Sequence, residues 1–181
     1  MTHQDFVEAI LAEPSDDAPR LIYADWLEER GNPRGEFIRV QVEMATLARY
    51  TYGGPMPAPR NPRHAARFRE LWKRQMELYA SHCAEWVEPL IGKATGVFFE
   101  RGCVEGLSTP LQTFVTHASL WYQSMPIRQM RLVGPSSTED WLKLADCPYV
   151  AKLKALFASV DDKLLQKLRR SLYFKNVQIN P

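Results

Sequence analysis

The chain has 181 residues, 45% of them hydrophobic, with five Trp, seven Tyr and eight Phe. That is enough core material for one large domain or two small ones, and too much for a chain disordered throughout. No apolar run approaches the ~20 residues of a membrane span, and Met1-Thr2-His3-Gln4-Asp5 is no secretory signal, so a cytoplasmic protein without membrane contact is expected. The formal charge of +2 hides an asymmetry: residues 1–50 carry ten acids against five bases, 51–80 six bases against two acids, and 127–181 ten bases against five acids. Cys83, Cys103 and Cys147 are odd in number and far apart, which fits a reducing compartment better than a disulfide framework or a zinc site.

The first segment reads as a helical hairpin. Phe6, Ala9 and Ile10 fall at helical spacing, and Pro14-Ser15-Asp16-Asp17 ends one helix and begins the next. Either aspartate can accept from the free N–H groups of that start, and Pro19 suits its first turn. Leu21, Ile22, Ala24, Trp26 and Leu27 are the expected buried surface, with Gly31 in a left-handed C-cap. From Gly35, Phe37, Val40, Met44 and Leu47 mark a third helix. Residues 51–63, with four prolines and two glycines, predict a mobile loop. A long helix follows from about Ala65 to Trp86, with a stripe of Phe68, Leu71, Trp72, Met76 and Tyr79.

Near residue 97 the texture changes. Val97–Glu100 and Cys103–Leu107 read as two short strands about an Arg101-Gly102 turn, and Pro110–Tyr122 as a helix. Beyond it, Ile127-x-x-Met130-x-Leu132, Leu153-x-x-Leu156-x-Ala158 and Phe174-x-x-Val177-x-Ile179 recur after 26 and 21 residues. Helical patterns separate them: Thr138–Ala145, and Asp161 to about Ser171 with Leu164, Leu165, Leu168 and Leu172. Strand and helix alternating at this period is the signature of leucine-rich repeats, whose short parallel strands bury their apolar sides only by stacking. The asparagine or cysteine expected after each ladder is Pro135 and Asp161 here, a departure that leaves an ordinary α/β layer as the alternative.

In this register Gln129, Arg131, Ala155, Phe157, Asn176 and Gln178 point to the open, concave face. Phe157 is either a binding anchor flanked by polar donors or a side chain covered by the N-terminal region folding back.

Other chemistries find less support. Asp25 and Glu29 share a helix face and could serve as acid and base or hold a metal. However, no histidine accompanies them, and Arg20, Arg30 and Arg34 are near enough in sequence to neutralise them. The four histidines are scattered, and no nucleophile elbow or phosphate loop is present. Arg60, Arg63, Arg67, Lys73 and Arg74, with Arg69 and His64, form a basic run with Tyr52, Phe68 and Trp72 interleaved, a pattern that binds nucleic acid elsewhere. Phe68 and Trp72 are spaced as a core stripe, which would leave the arginines as its solvated flank.

The stretch Asp16-Asp17-Ala18-Pro19-Arg20-Leu21-Ile22-Tyr23-Ala24-Asp25-Trp26-Leu27-Glu28-Glu29-Arg30-Gly31, continued by Asn32-Pro33-Arg34-Gly35-Glu36-Phe37-Ile38-Arg39-Val40-Gln41, resembles the bacterial repeat-companion domain. Trp86 before Pro89-Leu90, and Phe99-Glu100-Arg101-Gly102-Cys103-Val104-Glu105, look like its later landmarks. The resemblance spans roughly residues 1–125 and implies architecture, since the family offers no catalytic residues to carry over. A leucine-rich-repeat-like tail is its expected companion, and a bare final strand there would call for a cover or a partner that completes the sheet.

The expectation is thus a mixed α and β chain: a helical region over 1–96 and a strand–helix repeat layer with parallel strands over 97–181. Its expected function is non-catalytic protein–protein recognition as an adaptor, inhibitor or accessory subunit. No cofactor, metal or small-molecule substrate is expected. The alternative is an accessory subunit of a ribonucleoprotein or DNA-bound complex, contacting nucleic acid through Arg60–Arg74.

Overall fold

The structure is a computed structural model and describes residues 1–48, 59 and 61–180. Among them an α+β fold is formed, with seven α-helices and, after the helical N-terminal region, a five-stranded, mostly parallel sheet. The chain divides into two compact units, Met1–Glu88 with Phe99–Cys103, and Pro89–Phe98 with Val104–Pro181. Where the sequence reading placed one cut at 96/97, the tip of the strand pair belongs to the helical unit.

That unit holds α1 (His3–Ala12), α2 (Ala18–Glu28), α3 (Arg34–Leu47) and α4 (Ala65–Trp86). A capping box between Thr2 and Asp5 starts α1. At α2 the duties of the two aspartates separate. Asp16 accepts from the Ala18 N–H at 2.9 Å, while Asp17, the N-cap, makes no capping bond with its side chain and receives the Arg101 guanidinium at 2.9 Å. The helix ends at Gly31, whose φ of 66° permits the Asn32 N–H to reach back to the Leu27 carbonyl. Phe6, Ile10, Tyr23, Ala24, Leu27, Ile38, Val42 and Cys103 form one buried cluster, each large side chain contributing roughly 1.5–3 kcal/mol. Of the loop read over 51–63, residues 51–58 and Arg60 lie outside the described residues; Asn61 caps a 3-10 turn, Pro62–His64, leading into α4.

In the second unit, β2 (Cys103–Thr109), β3 (Gln129–Leu132), β4 (Ala155–Phe157) and β5 (Gln178–Asn180) follow one another in parallel, with β1 (Gly96–Glu100) beside β2. Parallel neighbours need crossovers, supplied by α5 (Leu111–Trp121), α6 (Thr138–Ala145) and α7 (Asp162–Leu168). Leu107, Met130 and Leu156 point inward and are fully buried with Phe114, Trp121, Leu144 and Leu168. Local chemistry punctuates the unit: Ser137 and Asp140 form a capping box on α6, and Asp161 accepts the Leu164 N–H at 2.8 Å to start α7.

Four expectations need correction. Ile22 is 54% exposed, because α2 buries the stripe of Tyr23, Ala24 and Leu27. On α4 the buried line is Phe68, Leu71, Gln75 and Leu78, leaving Met76 and Tyr79 on its exposed flank. Leu172 lies beyond the end of α7, in a 3-10 turn, and is 66% exposed. The last ladder begins later than read: Phe174 is buried in that turn, and Ile179, not Val177, stands beside Leu156. A slip of two residues preserves which face each side chain takes, so alternation alone cannot detect it.

Candidate functional site

Two rows of side chains cross the outward side of the sheet. Gly106, Gln129, Ala155 and Gln178 are register partners in one, and Ser108, Arg131, Phe157 and Asn180 in the other. Strand alternation puts both on the face opposite Met130 and Leu156. Arg131 and Gln178 are exposed, Gln129, Phe157 and Asn180 half-buried, and Ala155 and Ser108 buried. The Arg131 guanidinium lies 5.8 Å from the Phe157 ring centre, and the Gln178 amide donates to Asn180 at 3.0 Å.

Five of the six residues expected here therefore lie on one face. Asn176 does not: it falls in the exposed turn before β5, and Asn180 takes the position beside Phe157. The sequence reading also missed β2 as the first parallel strand. Its signal was present, since Val104-x-x-Leu107 precedes Ile127-x-x-Met130 by 23 residues.

The face offers an apolar ring, a guanidinium and three amides. Such groups can enclose and orient a partner's side chains. They include no nucleophile paired with a base and no carboxylate pair.

The basic segment is built differently from its appearance in sequence. Arg67 makes a two-pronged bond to Glu43 on α3 at 2.7 and 2.8 Å and reaches Glu70 at 3.4 Å. One helical repeat later, Arg74 does the same with Glu36 at 2.6 and 2.7 Å and reaches Glu77 at 3.2 Å. Lys73 stands 4.0 Å from Glu77. Hydrogen bonds from Arg74 and Arg67 hold the Glu36 and Glu43 carboxyls below their ordinary range, and both guanidinium groups are pushed above theirs by the same bonds. Arg63 is exposed at the 3-10 turn. The cations thus alternate with carboxylates across the seam of α3 and α4, and no unbroken basic strip forms among the described residues.

The carboxylates of α2 are likewise engaged. Asp25 and Glu28 both bind Arg39, Glu28 at 3.1 Å, and Glu29 lies 3.5 Å from Arg30. The neutralising arginine for Asp25 is thus Arg39, and none of Arg20, Arg30 and Arg34, to which sequence proximity pointed. Arg20 is fully buried and donates to the Pro14 and Asp16 carbonyls at 3.2 and 3.0 Å. His3 lies 2.7 Å from the Tyr23 hydroxyl, while His82 and His117 stack on Trp86 and Trp121. No group of three metal-ligating side chains occurs among the described residues, and none of their helices is long and apolar enough to cross a membrane.

Comparison of the chain with protein-family models, curated proteins and solved structures finds no match.

Proposed function

We propose that this chain is a non-catalytic protein-recognition module, an adaptor, inhibitor or accessory subunit in the cytoplasm, docking a protein partner on the outward face of its parallel sheet. The observation that carries the reading is the pair of Arg131 and Phe157, side by side on adjacent strands, with the ring half-buried and the guanidinium exposed above it. An aromatic ring held in place by its neighbours, next to an arginine, is what a binding hot spot requires, because little side-chain freedom is lost on contact.

The repeat interpretation belongs to the same proposal. Register partners advance from Gly106 to Gln129 to Ala155 to Gln178 in steps of 23, 26 and 23 residues, each enclosing one helix. That spacing supports reading the unit as a short leucine-rich-repeat stack. Asp161, where the repeat pattern would have an asparagine, caps α7 with its side chain. A nucleic-acid role through Arg60–Arg74 would require Arg67 and Arg74 to give up carboxylates they already bind, so it ranks second.

The test is capture of the partner from the source cell on immobilised full-length protein, with cross-links mapped by mass spectrometry. Phe157→Ala with Arg131→Ala is expected to weaken capture by about 2 kcal/mol or more while leaving the unfolding midpoint nearly unchanged. Capture undiminished by the double substitution, with cross-links away from β3–β5, overturns the proposal.

A further inference from the structure

A second feature lies in the helical unit and is independent of the sheet. Arg34 opens α3 and is only 7% exposed. Its guanidinium sits 5.9 Å from the centre of the Tyr23 ring, and its Nε and Nη2 are enclosed without any hydrogen-bond acceptor. Those two nitrogens are the side-on edge of the guanidinium, two parallel N–H donors spaced for two oxygens of one oxyanion. Leaving such donors unbonded in a buried cation is costly; in the fully buried Arg20 it is Nη1 that donates, to two backbone carbonyls.

The surroundings of Arg34 are cationic and aromatic. The His3 ring meets Trp26 edge-on at 4.8 Å and holds the Tyr23 hydroxyl through Nδ1 at 2.7 Å. The Arg30 guanidinium covers the Trp26 ring at 4.0 Å. Burial, then the positive fields of Arg34 and Arg30, keep the His3 imidazole below its ordinary pKa. Of the nearby acids, Asp25 and Glu28 are drawn to Arg39, while Arg30 Nη1 donates to the Trp26 carbonyl at 2.8 Å and stands 3.5 Å from Glu29.

We propose that Arg34, Arg30 and His3 form a binding site for a phosphate group, free or carried as a monoester, with the Nε–Nη2 edge of Arg34 as its two-pronged donor. A dianion matches this charge set better than a carboxylate, since it can satisfy Arg34 and Arg30 together and draw a proton onto His3. His3 and Arg30 are both exposed, so their side chains are free to reorient toward an anion held by Arg34.

The experiment is a titration of the full-length protein at fixed pH with inorganic phosphate, a short phosphoserine peptide, its unphosphorylated form, and acetate. Binding is followed by calorimetry and by the NMR signals of the Trp26 indole N–H and the His3 ring. Phosphate is expected to shift both signals saturably in the millimolar range, and acetate not to. The phosphopeptide binding far more tightly than phosphate would identify a monoester on a protein as the source; equal affinity would identify the free anion. Both outcomes support the site. Arg34→Lys, which keeps the charge and removes the fork, is expected to weaken binding at least about tenfold, the equivalent of one charged hydrogen bond. Should that variant fail to fold, Arg30→Gln and His3→Asn at the exposed rim are each expected to weaken phosphate severalfold. Absence of saturable shifts, equal response to acetate, or binding unchanged in the rim variants overturns the proposal.

Discussion

Replacing Gly102 by alanine probes how the strand tip is fitted to the helical unit. Gly102 has φ of 80°, a region where a side chain costs about 1–2 kcal/mol. A methyl group there would stand 2.3 Å from the Ile38 Cα, 2.5 Å from its Cγ1 and 2.8 Å from its Cβ. The Cα belongs to the backbone of α3 and cannot turn aside as a side-chain end can. The tip must therefore retreat, at the cost of an overpacked contact, about 1–3 kcal/mol. Retreat also stretches the bond from the Gly102 N–H to the Gln41 side-chain oxygen, 2.7 Å long and worth about 0.5–1.5 kcal/mol. Against these stands the smaller entropy of the unfolded alanine chain, a gain of about 0.4–1 kcal/mol. The net expectation is a loss of about 1.5–6 kcal/mol, a large part of a typical total stability of about 5–15 kcal/mol. Urea unfolding followed by circular dichroism, with the slope checked for constancy, reads this as a lower midpoint. A loss below about 1 kcal/mol would show that α3 yields at Ile38, and the argument from close approach would fail.

Alkaline pH provides a second check. Burial raises the Tyr23 and Tyr122 hydroxyls above their ordinary 10.0, Tyr122 donating to the Ile127 carbonyl at 2.7 Å. A group whose folded pKa is raised contributes stability that is complete below its unfolded pKa and is lost as pH climbs toward the folded one. The tyrosine contribution to the melting temperature should therefore hold to about pH 10 and then fall, and Tyr122→Phe should flatten part of that fall. In acid the sign reverses: the carboxyls of Glu36 and Glu43, depressed by Arg74 and Arg67, contribute above their ordinary 4.5. Melting temperature should thus decline as pH drops through and below 4.5, more shallowly in Glu36→Gln with Glu43→Gln. Replacing Arg63, Arg67 and Arg74 together by alanine should leave partner capture unchanged. Fluorescence anisotropy that detects salt-sensitive oligonucleotide binding by the natural chain, abolished in this variant, would favour the nucleic-acid reading.

How much of this was legible in the sequence depends on the range of the interaction. Some helix starts and stops were readable because a cap, a proline or a left-handed glycine acts within a few residues: Asp16 caps the start of α2, Pro19 sits in its first turn, and Gly31 ends it. The strand ladders were readable for the same reason, since alternating Met130 and Leu156 report a face without naming the neighbour. Arg131 and Phe157 could be placed on one surface from that pattern alone.

Pairing across distance was not legible. Arg67 and Arg74 look like a basic patch until α3 brings Glu43 and Glu36 opposite them, and Asp25 finds its cation on a helix begun nine residues later. The offset of β5, which exchanges Asn176 for Asn180, accompanies burial of Phe174 in the turn before it. The burial of Arg34 beside Tyr23 of α2 likewise arises only in the folded chain. Local sequence determines which backbone shapes are cheap and which side of each element is oily. The partner of a charge, the register of a strand and the isolation of a buried donor are decided by packing, because each depends on atoms that only the folded chain brings together.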